Sequence, residues 1–147
     1  MKLSTKGRHA VTAMMELALQ HKNGPVTLAD ISAQQSISIS YLEQLFARLR
    51  QHGIVTGMRG PGGGYCLARP ANEITIASIL ATVDDVSRHE EMPHAQAEVT
   101  GGVRMWLKLS NRIYDYLNSI TLEEAISSAS DESSTTMFGS GFRKTAA

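Results

Sequence analysis

Ser40-Tyr41-Leu42-Glu43-Gln44-Leu45-Phe46-Ala47-Arg48-Leu49-Arg50-Gln51-His52-Gly53-Ile54-Val55-Thr56-Gly57-Met58-Arg59-Gly60-Pro61-Gly62-Gly63-Gly64-Tyr65-Cys66-Leu67-Ala68 holds both features on which the fold turns. It opens on an S-x-x-E capping box, Ser40 to Glu43. Leu42, Leu45, Phe46 and Leu49 recur at helical spacing, and Gly53 stands where a left-handed residue ends a helix. Tyr41, Glu43, Gln44, Ala47, Arg48 and Gln51 fall on the other side. Residues 54–58 and 65–68 then read as two strands around Arg59-Gly60-Pro61-Gly62-Gly63-Gly64. Five of the eight residues from 57 to 64 are glycine, more than a turn requires. Bare backbone can approach a phosphate or a groove floor closely, and an arginine at the tip suits the negative potential of a minor groove. A nucleotide-phosphate loop does not fit, because this loop joins strand to strand and no Gly-Lys-Ser/Thr follows.

Upstream, Thr27 opens a short helix with Asp30 three residues on as an imperfect capping box, Leu28, Ala29 and Ile31 facing inward, and an end near Gln35. Two short helices joined by a tight turn, the second with a polar face, form a helix-turn-helix pattern. A merely solvated face is the plainer reading of those polar residues; the glycine-tipped hairpin behind them favours a base-reading helix followed by a wing. A first helix, capped by Ser4 or Thr5, runs to about His21 on Ala10, Val11, Met14, Leu17 and Ala18, and Asn23-Gly24-Pro25 stops it.

Downstream, Thr75 caps a helix with Ile76, Ile79, Leu80 and Val83 as its apolar stripe. Residues 84–102 read as a polar loop. A longer helix, from about Val103 to Asn118, carries Val103, Trp106, Ser110, Ile113 and Leu117 as a seam, continued by Ile120. That seam suits a symmetric dimer with Trp106, Ile113 and Leu117 at the contact, or a helix folded back on its own domain. Thr121 to Glu124 is a further capping box opening a short last helix, and the Ser/Thr-rich residues 130–147 read as disordered. The expected fold is mainly α with a small β-hairpin wing. A winged helix-turn-helix domain spans 1–83, a sensor-type loop 84–102, a dimerisation helix with a short terminal helix 103–129, and a tail 130–147.

The 147 residues are 42% hydrophobic and 19% charged, enough for one domain with a real core. The zero net charge hides an asymmetry. Residues 1–70 carry eight Lys/Arg against three acidic groups, a net +5, and the remainder carries −5. A basic front half suits a polyanion such as double-stranded DNA, although two opposite halves could also attract each other. No apolar run reaches membrane-spanning length, and no apolar stretch follows the first charges as a secretion signal would, so a cytoplasmic protein is expected. His9, His21 and His52 fall on different elements and no nucleophile-elbow setting is present, so an enzyme is not expected.

The segments Lys2-Leu3-Ser4-Thr5-Lys6-Gly7-Arg8, Leu28-Ala29-Asp30-Ile31, Ser40 to Phe46, Arg59 to Tyr65, and Asn118-Ser119-Ile120-Thr121-Leu122 stand in one order. Together they resemble the IscR-like winged helix-turn-helix regulators, the iron–sulfur cluster regulator family. The resemblance implies a dimer whose long C-terminal helix crosses to the partner. It also implies DNA contacts from Ser38, Ser40, Tyr41, Glu43 and Gln44 on the recognition helix and from Arg59, Gly60, Pro61 and Gly62 on the wing. Lys2, Lys6, Arg8, Arg48 and Arg50 are candidates for phosphate contacts. Cluster-binding members supply three cysteines and often a histidine before the long helix. Here residues 84–105 hold no cysteine, and Val103 falls where that histidine would stand. Iron in a 2Fe–2S cluster favours thiolate donors, so a cluster could be held only with unusual ligands, for which His89, His94 and Cys66 are the candidates. Alternatively His89, Glu90, Glu91 and His94 could bind another metal, or the loop another ligand. The bland readings are solvated loop histidines and a small apolar strand cysteine.

Overall fold

The computed structural model describes residues 4–84 and 100–136, the last six of these by backbone alone. Ser4 has extended backbone, and its hydroxyl accepts from the Gly7 amide at 2.9 Å, starting α1 (Thr5–Gln20). Ala10, Ala13, Met14, Leu17 and Ala18 form its buried face, and Val11 lies half-buried at the edge. Thr27 and Asp30 then exchange both hydrogen bonds of a capping box, so aspartate completes at N3 what glutamate usually does, and α2 (Leu28–Gln35) follows. Ile31 is buried and Leu28 packs on the core, but Ala29 is exposed, contrary to the inward placement expected of it.

Ser36 adopts a left-handed conformation (φ 54°) that ends α2, and Ser38, not Ser40, caps α3 (Ile39–Gln51). The Tyr41 amide donates to the Ser38 hydroxyl at 3.4 Å. The cause lies in Ile37, which is buried one residue before the cap, while Leu42 is buried at the fourth helical position. That is the spacing of a hydrophobic staple, which turns the chain into the helix two residues earlier than the Ser40–Glu43 box would. Leu42, Leu45, Phe46 and Leu49 are all buried. At the other end Gly53 (φ 67°) donates to the Arg50 carbonyl at 3.1 Å and Ile54 to the Leu49 carbonyl at 3.0 Å. This is the paired pattern of a Schellman cap, with Ile54 and Leu49 both buried.

Ile54 is thereby spent on the cap, and the hairpin is β1 (Val55–Met58) against β2 (Gly64–Leu67), with Thr56 opposite Cys66 and Gly57 opposite Tyr65. A two-stranded hairpin is marginal by itself. Here Val26, the residue before the α2 cap, pairs with Tyr65 in both directions, at 2.9 and 2.7 Å. Gly64 makes this approach possible, since a Cβ there would lie 2.5 Å from the Val26 oxygen. Tyr65 also sets its ring edgewise on Phe46, with centroids 4.9 Å apart.

Thr75 caps α4 (Ile76–Val83), whose stripe of Ile76, Ile79, Leu80 and Val83 is buried. α5 (Gly101–Ser119) starts two residues before Val103, and no side chain on it is fully buried. Thr121 and Glu124 close a capping box, at 2.9 and 3.2 Å, and open α6 (Leu122–Thr136). This helix runs to 136, across residues 130–136 that were expected in a disordered tail. Backbone bonds from Ile76 to the Ile120 carbonyl (3.0 Å) and from Leu122 to the Ile74 carbonyl (2.8 Å) tie the α5–α6 junction to the start of α4. Lys2, residues 85–99 of the loop with His89 and His94, and residues 137–147 lie outside the described residues.

Gly64→Ala is expected to cost about 1–3 kcal/mol, as overpacking against fixed backbone does. A lower denaturant midpoint together with faster amide exchange at Val26 and Tyr65 would show it; unchanged exchange at both would refute the account of the hairpin's anchor.

Candidate nucleic-acid interface

Burial of one stripe decides what α3 can show to a partner. With Leu42, Leu45, Phe46 and Leu49 inward, the opposite row is Ser40, Gln44, Ala47 and Gln51, all exposed, with exposed Glu43 beside it. Ser38 is exposed at the N-cap, where unpaired first-turn amides suit a phosphate. Two residues expected to face outward do not fully do so. Tyr41 is half-buried and meets the His9 ring edge-on at 5.6 Å. Arg48 is half-buried, and its Nη1 donates to the Val83 carbonyl at 3.3 Å. Both lie on the flank of α3 that packs toward α1 and α4, where side chains are held by the fold. Arg50 is exposed in the last turn of α3.

The wing tip is the other half of the surface. Arg59, Gly60, Pro61 and Gly62 are all exposed. Gly60 (φ 97°) and Gly62 (φ 74°) supply the left-handed turns, and the Gly63 amide donates to the Gly60 carbonyl at 2.9 Å. A Cβ on Gly63 would lie 2.4 Å from the Met58 oxygen, so the tip is narrow because nothing larger fits. On α1, Lys6 is half-buried and Arg8 exposed. Cations thus stand on α1, in the last turn of α3 and at the wing tip, while the exposed row of α3 is uncharged with Glu43 beside it.

α5 is apolar on much of its exterior: Val103, Met105, Trp106, Leu107, Leu109, Tyr114 and Tyr116 are all exposed, Trp106 by 62% and Tyr116 by 66%. Of the expected seam, Ser110, Ile113 and Leu117 are half-buried, while Val103 and Trp106 lie open. Cys66 is half-buried on β2, with its thiol 3.9 Å from the Met58 sulfur. Among the described residues no three His, Cys, Asp or Glu side chains gather as a metal could use. Asp84, which no local pattern marks, accepts a hydrogen bond from Ser4, eighty positions earlier in the chain.

A capped helix with a bare polar face, backed by a helix-turn and flanked by an arginine-tipped glycine wing, defines a winged helix-turn-helix regulator of transcription that binds DNA. Residues 3–128 match the family described as Rrf2, iron-dependent transcriptional regulator, and the chain belongs to that family. It is 52% identical over 129 residues to the HTH-type transcriptional regulator IscR of Photobacterium profundum, covering 84% of this chain and 74% of that protein. It is 50% identical over 134 residues to the IscR of Pectobacterium carotovorum, covering 86% and 79%. Among solved structures, T. potens IscR superposes with a TM-score of 0.75 at 36% identity, covering 88% of each chain. CymR, the global cysteine regulator of B. subtilis, superposes with a TM-score of 0.75 at 35% identity over 86% of this chain and 97% of that one. These proteins are named as regulators, not enzymes. No described helix is long and apolar enough to cross a membrane.

The family is described as iron-dependent, and the described residues do not fit an iron centre: the single cysteine sits on the wing beside a thioether, far in character from a set of thiolates. Chain purified without oxygen is expected to lack the visible absorption of a 2Fe–2S cluster. Iron and sulfide counts of two per chain would overturn this.

Proposed function

We propose that the chain acts in the cytoplasm as a homodimer that places two α3 helices in successive major grooves of a duplex and controls iron–sulfur or redox-related genes. The observation that carries this reading is the joint exposure of the Ser40–Gln44–Ala47–Gln51 row and the Arg59 tip on elements coupled through Phe46 and Tyr65. Gln44 suits adenine, which offers an acceptor and a donor to a side-chain amide in the major groove. Glu43 can accept from cytosine N4 while repelling phosphate, which adds discrimination at the expense of affinity. Ser40 begins this face, and Ser38 and Tyr41 border it. Lys2, Lys6, Arg8 and Arg50 neutralise phosphates and set register without reading sequence. Arg59 enters the adjacent minor groove, and Gly60, Pro61 and Gly62 let the wing backbone approach the sugar-phosphate strand.

The partner of α5 in this reading is a second copy. A 19-residue helix with no buried side chain gains little from its own domain. Its exposed apolar face leads from Trp106 toward half-buried Ile113 and Leu117. Leu117 in turn lines a groove of about 390 Å3 with Val11, Ile76 and Leu80. Two-fold pairing of such faces sets the half-sites about 34–36 Å apart, one helical turn of DNA. The family's iron dependence supports a second reading for the signal: residues 84–102, through His89, Glu90, Glu91 and His94, bind a metal ion or another ligand and not an iron–sulfur cluster.

Arg59→Ala is expected to weaken binding to a duplex selected by the wild-type chain by about 1–3 kcal/mol, whereas Lys6→Ala weakens all duplexes alike and lowers the salt slope by about one. Gel-shift titrations across salt would check both; unaltered affinity for the Arg59 variant would remove the wing from the interface. Trp106→Asp is expected to shift the chain from dimer to monomer in sedimentation at micromolar concentration, because a buried unpaired carboxylate opposes association. A wild-type chain that sediments as a monomer would refute the dimer.

A further inference from the structure

Val83 and Asp84, where α4 ends, are each held by a different helix. The Val83 carbonyl is among the last four of α4, which lack partners within the helix. It accepts from Nη1 of Arg48, a cation placed at a helix C-terminus, where the peptide dipoles favour it. One residue on, the Asp84 amide closes α4 on the Leu80 carbonyl at 3.0 Å. The Asp84 Oδ1 accepts from the Ser4 hydroxyl, and that hydroxyl in turn accepts from the Gly7 amide at 2.9 Å. The carboxylate thus sits at the N-terminus of α1, the end that favours an anion.

The packing around this seat is specific. A Cβ on Gly7 would lie 2.7 Å from Asp84 Oδ2 and 2.7 Å from a Leu80 methyl carbon, so a glycine on the buried side of α1 clears the space. Oδ2 is buried and has no hydrogen-bond partner among the described residues. One peptide unit therefore joins α3, which presents the base-facing row, α4, and α1, which presents Lys6 and Arg8.

We propose that Arg48 and Asp84 are positioning residues for base reading. They hold the recognition helix in register with the basic end of α1, so that base-edge groups and phosphate-binding cations reach one duplex together. Arg48 then serves through its bond to Val83 and not as the phosphate contact its charge alone suggests. The proposal rests on the DNA reading above. Base-edge hydrogen bonds are short and directional, whereas attraction to phosphates falls slowly with distance. Loss of register therefore costs discrimination first and general affinity least.

The test compares a duplex selected from a random library by the wild-type chain with a scrambled duplex of the same composition, each titrated across salt. For Arg48→Gln and Asp84→Ala the ratio of the two affinities is expected to fall about tenfold, with the salt slope held within a few tenths of wild type. Asp84→Asn, which keeps an oxygen to accept from Ser4, is expected to restore the ratio. An Arg48→Gln chain that binds both duplexes equally less well, with a slope lower by about one, would assign Arg48 to a phosphate and overturn the proposal. An unchanged ratio in Asp84→Ala would overturn it as well, and the Asp84 pair decides the matter if Arg48→Gln does not fold. A wild-type chain without salt-sensitive binding to either duplex would instead bring down the DNA reading itself, and this proposal with it.

Discussion

Tyr65 holds the hairpin to the helices, through its backbone to Val26 and through its ring to Phe46, and so links the two parts proposed to face DNA. A four-residue hairpin with an almost bare tip has little to stabilise it. Pairing with Val26 gives β2 a neighbour on its second edge, at the residue just before the α2 cap. The ring contact with Phe46 then couples the hairpin to the buried side of α3. Any rotation of α3 would also disturb the seat of Tyr65, because Phe46 carries that contact on the buried side of the helix. Gly64 is the condition for this, because a side chain there would occupy the place of the Val26 carbonyl.

The distribution of charge follows a division of labour. Side chains centred on the exposed face of α3 are small or neutral, apart from Glu43, and can hydrogen-bond base edges. Cations stand at the margins, on α1, at the end of α3 and at the wing tip. In the proposed reading, undirected attraction at the periphery lets phosphates set position and directed bonding at the centre lets bases set identity. Within it, Arg48 is set apart by its bond to the end of α4, which turns a charge into a strut.

Much of this was legible in the chain, and the failures share a cause. The apolar stripes of α1, α3 and α4, the Gly53 cap, the Thr75 and Thr121 caps and the glycine hairpin all lie within a few residues of the structure they specify. The expected cap at Ser40 was also a local pattern, but burial of Ile37 favoured the competing cap at Ser38. Ala29 was placed inward by spacing, yet an eight-residue helix needs only Ile31 and Leu28 to meet the core. Tyr41 and Arg48 looked outward by periodicity because their covering surfaces, His9 and the end of α4, are distant in sequence. Of the apolar residues that α5 exposes, only Val103 and Trp106 lay on the expected seam; Met105, Leu107, Leu109, Tyr114 and Tyr116 lie off it, and Ile113 and Leu117 are half-buried. What lay beyond inspection was how little of α5 its own domain covers.

The sequence by itself determined the kinds of element, their order and the chemistry available to a duplex, because caps, periodic stripes and bare turns act over distances of a few residues. Only the tertiary structure decided which polar groups are committed to the fold and which remain for a partner. Ser4 meets Asp84, Arg48 meets Val83 and Val26 meets Tyr65 because burying the apolar stripes of α1, α3 and α4 against one another brings these distant segments together. No local signal carries that information, since each pair is assembled by the closing of the core between them.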